Sequence, residues 1–358
     1  MMDLTFLQQL VESESPSDDA RACDALAETI AARFSGAGAR VTLHSSATHG
    51  RHVEAAFGSG GDRPLLLIGH YDTVWPIGTL ARMPFRAEAG KVHGPGVFDM
   101  KTSIAMVDAI IRAQAPARPL VVLFTSDEEV GSPTSRTLIE SRARDAAGVL
   151  VLEPPIAPGV LKLRRKGIGS FRIEVTGRAA HAGLEPEKGV NATVELAHQM
   201  LRVDALNDFA RGSTVTVGLI RGGTRTNVVP AAAAADLDVR MWTAAEAERL
   251  SAAIHGLTPV LPGAMVRGSG RLNRPPMELT PPQLELFDRA RAIAAGIGIE
   301  LAHGAVGGGS DGNFTAALAP TLDGLGCPGD GAHAEHEHIL LDHLDRQVAL
   351  LSALLARL

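Results

Sequence analysis

The stretch Leu65–Pro76, LLLIGHYDTVWP, runs four apolar residues straight into His70, with Asp72 two residues on and a Trp-Pro turn behind them. Continuous apolar runs bounded by turn signals fit strands covered on both faces. Residues two apart on a strand share a face, so this one presents a histidine and a carboxylate together at its end. The same texture recurs in RVTLHS (40–45), HVEAAFG (52–58), PLVVLFTSDEE (119–129) and AGVLVLEPP (147–155). Helical spacing lies between them, with Ala22, Leu26, Ile30 and Phe34 recurring every four residues and DMKTSIAMVDAIIRAQ (99–114) following. Strand and helix in alternation predict an α/β sandwich with a mainly parallel sheet.

After about Lys166 the pattern changes. SFRIEVTGRAAHAG (170–183), STVTVGLIRGG (213–223) and AAAADLDVRMW (232–242) alternate like half-exposed strands. Helices are expected from GVNATVELAHQMLRVDAL (189–206) and over 243–257. This order predicts a small α+β layer on an antiparallel sheet. From about Leu272 the α/β texture returns, with helices at 282–296 and 344–358. The chain therefore reads as one domain, 1–166 and 272–358, interrupted by another, 167–271. At 358 residues two domains are also the default.

Composition narrows the function. The chain is 45% apolar and 21% charged, as in soluble globular proteins, and its formal net charge of −6 argues against nucleic acid as a partner. No run of 18 apolar residues appears, so no membrane span is expected. The first residues, MMDLTFLQQLVESESPSDD, carry acids early and no basic segment before an apolar one, and read as a first helix rather than a leader. Cys23 and Cys327 are expected as reduced thiols, which with the lack of a leader predicts a cytoplasmic protein.

Three apolar strands end in acids or histidines: His70 and Asp72, then Glu128 and Glu129 in TSDEEVGS, then Glu153 in VLEPP. Ligands of open α/β sheets bind beyond the carboxyl ends of the strands, so these residues are expected on one rim. GPGVFDMK adds Asp99 in a glycine-rich turn, and GDGAHAEHEH adds three histidines. Each cluster alone has an ordinary reading: a satisfied polar pair, a helix start, a surface acid, a solvated loop. Together they place like charges on one edge, which repel unless cations neutralise them. Imidazole and carboxylate donors without thiolates suit zinc, manganese or cobalt, and their number fits two metals sharing a carboxylate. Asp72 is placed to fix the second ring nitrogen of His70.

With these motifs on the page, the chain resembles the M20 metallopeptidases, most closely the glutamate carboxypeptidases of the carboxypeptidase G2 type. GHYDTV, GPGVFDMK, TSDEEVGS, VLEP, GRAAHAG, TNVVP, DLDVR, GGGSDGNF and GDGAHAEHE carry the resemblance in order over nearly the whole chain. It implies a phosphorylase/hydrolase-like α/β sandwich as catalytic domain, with an inserted α+β lid that also forms a homodimer. By the same resemblance, His70 and Glu153 hold one zinc, Glu129 and His333 the other, and Asp99 bridges them. The tail pattern is Gly-x-His with an acid four residues on; Gly331, His333 and Glu337 match it, so His333 is preferred over His336 and His338. Glu128 is the implied general base, Asp72 orients His70, and the Asp99–Met100 peptide resembles one that is cis. His181 is implied to stabilise an oxyanion, and Asn227, Arg240, Gly308 and Gly309 to bind substrate. A guanidinium can grip a free carboxylate with two hydrogen bonds, which makes Arg240 the natural anchor.

The implied activity is a dinuclear zinc carboxypeptidase, with cobalt or manganese as possible replacements. Its nucleophile is a metal-bridged water, and it releases a C-terminal amino acid, glutamate favoured, from small peptides or N-acyl amino acids. An aminoacylase or related amidohydrolase would use nearly the same residues. A non-catalytic metal-binding protein on this fold would not need both Glu128 and Glu129. A nucleotide-binding protein would need a glycine-rich turn in the first βαβ unit; GGG at 307–309 lacks the Lys-Ser/Thr of a phosphate loop.

Overall fold

The computed structural model describes residues 2–58 and 60–358. The chain divides into two compact units: Met1–Arg164, Leu279–Val306 and Ser310–Leu358 form the first, and Arg165–Glu278 with Gly307–Gly309 form the second.

The first unit is built on an eight-stranded sheet. Its order is Arg40–His44, His52–Phe57, Leu120–Thr125, Leu65–His70, Gly148–Val151, Thr321–Asp323, Val160–Arg165 and Ala302–Val306. Leu65–His70 is buried throughout and pairs in parallel with Leu120–Thr125 and Gly148–Val151, which in turn pairs in parallel with Thr321–Asp323. The expected parallel character holds for this centre only, since Thr321–Asp323 pairs antiparallel with Val160–Arg165 and the sheet as a whole is mixed. At one edge Arg40–His44 and His52–Phe57 form an antiparallel hairpin. The link 45–51 between them is too short for a parallel crossover, which needs about a dozen residues.

Helices cover the sheet where the sequence supplies caps and an apolar stripe. The Asp19 carboxylate accepts from the N–H groups of Arg21 and Ala22 and starts Ala20–Ser35, which turns Cys23, Leu26, Ala27, Ile30 and Phe34 inward. Thr102–Ala113 is buried along most of its length, and Leu341–Arg357 packs Leu344, Leu350, Leu351, Leu354 and Leu355 inward. A small antiparallel sheet of two- and three-residue strands, Gly329–Asp330, His338–Leu340, Lys91–His93 and Arg86–Glu88, was not expected. Such strands are too short to show a period. Cys23 and Cys327 are free and buried.

The second unit has its own core. Its antiparallel sheet runs Thr214–Gly222, Ala232–Met241, Gly167–Thr176, Met265–Arg274. Asn191 and Thr243 cap helices Ala192–Asp204 and Ala244–His255, whose Leu196, Val203, Leu250 and Ile254 meet Ile173, Val175, Leu237 and Val239. The fourth strand is an addition to the sequence reading. Its arginines and glycines, MVRGSGRLNR, hide the alternation, and Leu272, read as the return point, lies inside it. Among the described residues no helix is long and apolar enough to cross a membrane.

Candidate metal centre

Parallel pairing in register brings the strand ends of the first unit together. His70 lies beside Thr125, so the turn that follows Thr125 carries Glu128 and Glu129 next to it. Ile68 pairs with Val151, two residues short of Glu153. Asp99 sits in the turn before helix Thr102–Ala113, and its peptide to Met100 is cis.

The Asp99 carboxylate faces a histidine with each oxygen. Its Oδ1 lies 3.1 Å from His70 Nε2, and its Oδ2 lies 3.6 Å from His333 Nε2. Each histidine has a further acid: Glu153 Oε1 at 3.7 Å from His70 Nε2, and Glu129 Oε2 at 3.0 Å from His333 Nε2. Two donors, each about 2.0–2.1 Å from a tetrahedral zinc, lie about 3.3 Å apart, and the observed separations straddle that value. Two sets of donor atoms converge within 4.8 Å, His70 with Asp99 and Glu129 and His70 with Glu128 and Glu153. Glu128 thus stands at the same rim as the donors and reaches the His70 side.

The electrostatics of these groups follow from the same contacts. The hydrogen bonds to Asp99 and Glu129 push His333 up to about 10, although its side chain is half exposed. Burial would lower His70, but its contacts with Asp72 and Asp99 outweigh this and hold it well above its ordinary value. Burial raises Glu129. Burial would also raise Asp99, yet its two histidines hold it well below the usual carboxylate range. The acids are thus balanced by the two histidines around Asp99, and a bound cation would take over that balancing as the rings give up their protons. His333 itself has φ 59°, in the left-handed region that non-glycine residues seldom occupy.

Family comparison agrees with this geometry. The profile described as Peptidase family M20/M25/M40 matches residues 66–357. The chain belongs to that family. Carboxypeptidase G2 of Pseudomonas sp. (strain RS-16) is 32% identical over 365 residues, 98% of this chain and 87% of that protein. Succinyl-diaminopimelate desuccinylase of Delftia acidovorans (strain DSM 14801 / SPH-1) is 28% identical over 80% of both. Among solved structures, aminopeptidase PepT from Bacillus cereus ATCC 10987 superposes with a TM-score of 0.80 at 20% identity, covering 98% of this chain and 96% of that one. The chain is accordingly a hydrolase of the peptidase and amidohydrolase type. The family is metal-dependent, and the donors around Asp99 fit such an ion by type and spacing.

The structure brings His70, Asp72, Asp99, Glu128, Glu129, Glu153 and His333 together in the first unit. Of the other tail histidines, His338 stacks on His93 with centroids 5.3 Å apart, and His336 is exposed. Asp72 does something the sequence did not reveal. The nearest partner of His70 Nδ1 is the backbone oxygen of Asp72 at 3.0 Å, with the carboxylate at 3.4 Å. The carboxylate also accepts from the backbone N–H groups of Glu128 and Glu129, both at 3.2 Å, and from Ser17 Oγ at 2.6 Å. It clamps the turn that carries both glutamates. Asp127, also unassigned, accepts from the N–H and hydroxyl of Thr134 and Ser135 and holds the far side of that turn.

The remaining family residues lie in the second unit. His181 and Asn227 are exposed and adjacent, with Ala182 N donating to Asn227 O at 3.0 Å. Arg240 donates two hydrogen bonds to the Asp238 carboxylate, at 2.7 and 2.9 Å. The carbonyls of Gly308 and Gly309 accept from Arg165 at 3.3 and 3.1 Å.

Proposed function

We propose that this chain is a two-metal carboxypeptidase or amidohydrolase that releases a C-terminal amino acid, glutamate favoured, from small peptides or N-acyl amino acids. The observation that carries the proposal is the Asp99 carboxylate, with one oxygen toward His70 and Glu153 and the other toward His333 and Glu129. His70, Glu153 and Asp99 would hold one zinc, and His333, Glu129 and Asp99 the second; cobalt and manganese accept the same donors. Bound there, the pair supplies a Lewis acid for the scissile carbonyl and a water acidic enough to attack near neutral pH.

Glu128 takes the proton of the attacking water and passes it to the leaving amine, a task for a carboxylate beside the donors but outside their first duties. Asp72 keeps Glu128 and Glu129 on their separate assignments by fixing both backbone N–H groups. His181 is assigned to the developing oxyanion, Arg240 to the free carboxylate of the leaving residue, and Asn227, Gly308 and Gly309 to substrate contacts. These roles rest on family resemblance. Glutamate is favoured by the likeness to carboxypeptidase G2. The desuccinylase likeness supports a second reading, in which the released group comes from another N-acyl amino acid.

The partner is proposed to be a second copy of this chain. The edge strand Thr214–Gly222 leaves Leu219 and Ile220 exposed, and open apolar edges pair readily. Light scattering should give a dimer mass for the native protein and a monomer mass for Ile220→Lys. The deciding experiment for function is metal content together with hydrolysis. Two metals per chain and chelator-sensitive release of glutamate are expected on a panel ending in Glu, Asp, Ala, Leu and Arg. Release of another residue moves the substrate to the second reading; no metal and no hydrolysis overturns the proposal.

A further inference from the structure

We infer that Glu337 is a positioning residue of the metal centre, whose carboxylate ties the Asp99 turn, the His333 loop and the segment after His70 into one frame. The inference rests on the two-metal reading above. Glu337 is 1% exposed. Its Oε2 accepts from Trp75 Nε1 and Gly96 N, both at 2.9 Å, and its Oε1 from Phe98 N at 2.9 Å and Asp99 N at 3.1 Å. A carboxylate offers about four acceptor sites, and here four neutral N–H donors occupy them. Glu337 is therefore no ligand, though it lies four residues from one.

The donors identify what is being held. Asp99 N belongs to the shared donor itself, Gly96 and Phe98 to its turn, and Trp75 to the segment that begins at His70. On its own side Glu337 closes the His333 loop: Glu337 N donates to Ala334 O at 2.9 Å and Ala334 N to Gly331 O at 2.9 Å. Gly331 has φ 83°, and a Cβ on it would lie 2.9 Å from Glu337 N and Cα, so the loop folds tightly onto this residue. Partners of metal ligands fix ligand orientation, and their loss lowers metal affinity about 10- to 100-fold. In Glu337→Gln the amide oxygen can keep only one pair of donors, while its NH2 faces the other pair.

The test is chelator-competition titration with zinc of wild type, Glu337→Gln and Trp75→Phe, together with kcat, KM and the zinc-induced rise in unfolding temperature. Glu337→Gln is expected to bind zinc about 10- to 100-fold more weakly. Its kcat should fall while KM stays within about twofold, because the lost geometry serves turnover rather than uniform binding. Its zinc-induced stabilisation should shrink, as weaker binding to the folded state requires. Trp75→Phe removes one donor of four and should weaken zinc by about two- to fivefold. A purely structural role would lower the stability of zinc-free protein and leave affinity and zinc-induced stabilisation unchanged; that result overturns the inference. If Glu337→Gln does not fold, Trp75→Phe decides, and wild-type zinc affinity in that variant overturns it. If wild type itself takes up no zinc, the two-metal reading fails and the role of Glu337 with it. If wild type takes up two zincs and Glu337→Gln binds them as tightly, only the role of Glu337 fails.

Discussion

Asp72→Asn tests the clamp beneath the paired glutamates. The substitution preserves shape and removes charge from a side chain that is 0% exposed. If the amide oxygen takes the place of Oδ2, it keeps Glu129 N and Ser17 Oγ, while the NH2 group faces Glu128 N–H and the His70 ring. One buried N–H then has no acceptor, at about 1–3 kcal/mol, and two charge-assisted bonds become neutral, at about 1 kcal/mol each. The sum is a loss of about 3–5 kcal/mol, a large part of the 5–15 kcal/mol that ordinarily keeps a domain folded. Urea unfolding followed by circular dichroism after chelation reads this loss without the added stabilisation of bound metal. In metal-saturated protein, turnover should fall about 10- to 100-fold because Glu128 and Glu129 lose their fixed backbone. The clamp also predicts that Ser17→Ala costs about 1 kcal/mol, whereas a carboxylate serving only His70 would leave Ser17 without effect. Asp72→Asn with unfolding within about 1 kcal/mol of wild type and full turnover would refute the reasoning.

Further outcomes follow from the same geometry. Glu128→Gln should retain both metals and lose at least about 100-fold in kcat, the usual worth of a general base; a loss below tenfold with metals bound would remove that role. Arg240→Ala should raise KM for substrates with a free carboxylate about 10-fold or more with little change in kcat, and Asp238→Asn, which frees Arg240 of its internal partner, should lower KM. Gly326→Ala places a Cβ 2.4 Å from Leu152 O and 2.9 Å from Glu153 O; differential scanning calorimetry should show a cost of about 1–3 kcal/mol, with weaker metal binding. Burial pushes the thiols of Cys23 and Cys327 up to about 12, against about 8.5 for a free cysteine. A chromogenic disulfide reagent at pH 8 should therefore count no fast thiol in the native protein and two in urea.

The central strands were legible because a strand covered on both faces must be apolar at every position, and LLLIG, LVVLF and GVLV have no other economical reading. The site was legible for a related reason. Acids and a histidine placed straight after such strands have nowhere to lie but the rim, so His70, Asp72, Glu128, Glu129 and Glu153 announce themselves. The antiparallel pairing of Arg40–His44 with His52–Phe57 was less visible, since an apolar run does not tell its direction in a sheet, and so was the edge strand Met265–Arg274, whose glycines and arginines mask the alternation. Among His333, His336 and His338, residue type alone does not discriminate; the family pattern chose His333, and the fold alone brings that ring to Glu129 and Asp99.

By itself, then, the sequence determined the layer that forms the sheet, the chemical type of the donors and their family. Local apolar pattern and residue identity are enough for those. The tertiary structure alone decided which oxygen of Asp99 faces which histidine, that the Asp72 carboxylate holds the backbone of Glu128 and Glu129, and that Glu337 gathers four N–H groups. A buried carboxylate acts through whatever donors the fold brings to it. For Glu337 those donors lie 238 to 262 residues away along the chain, beyond the reach of any local pattern.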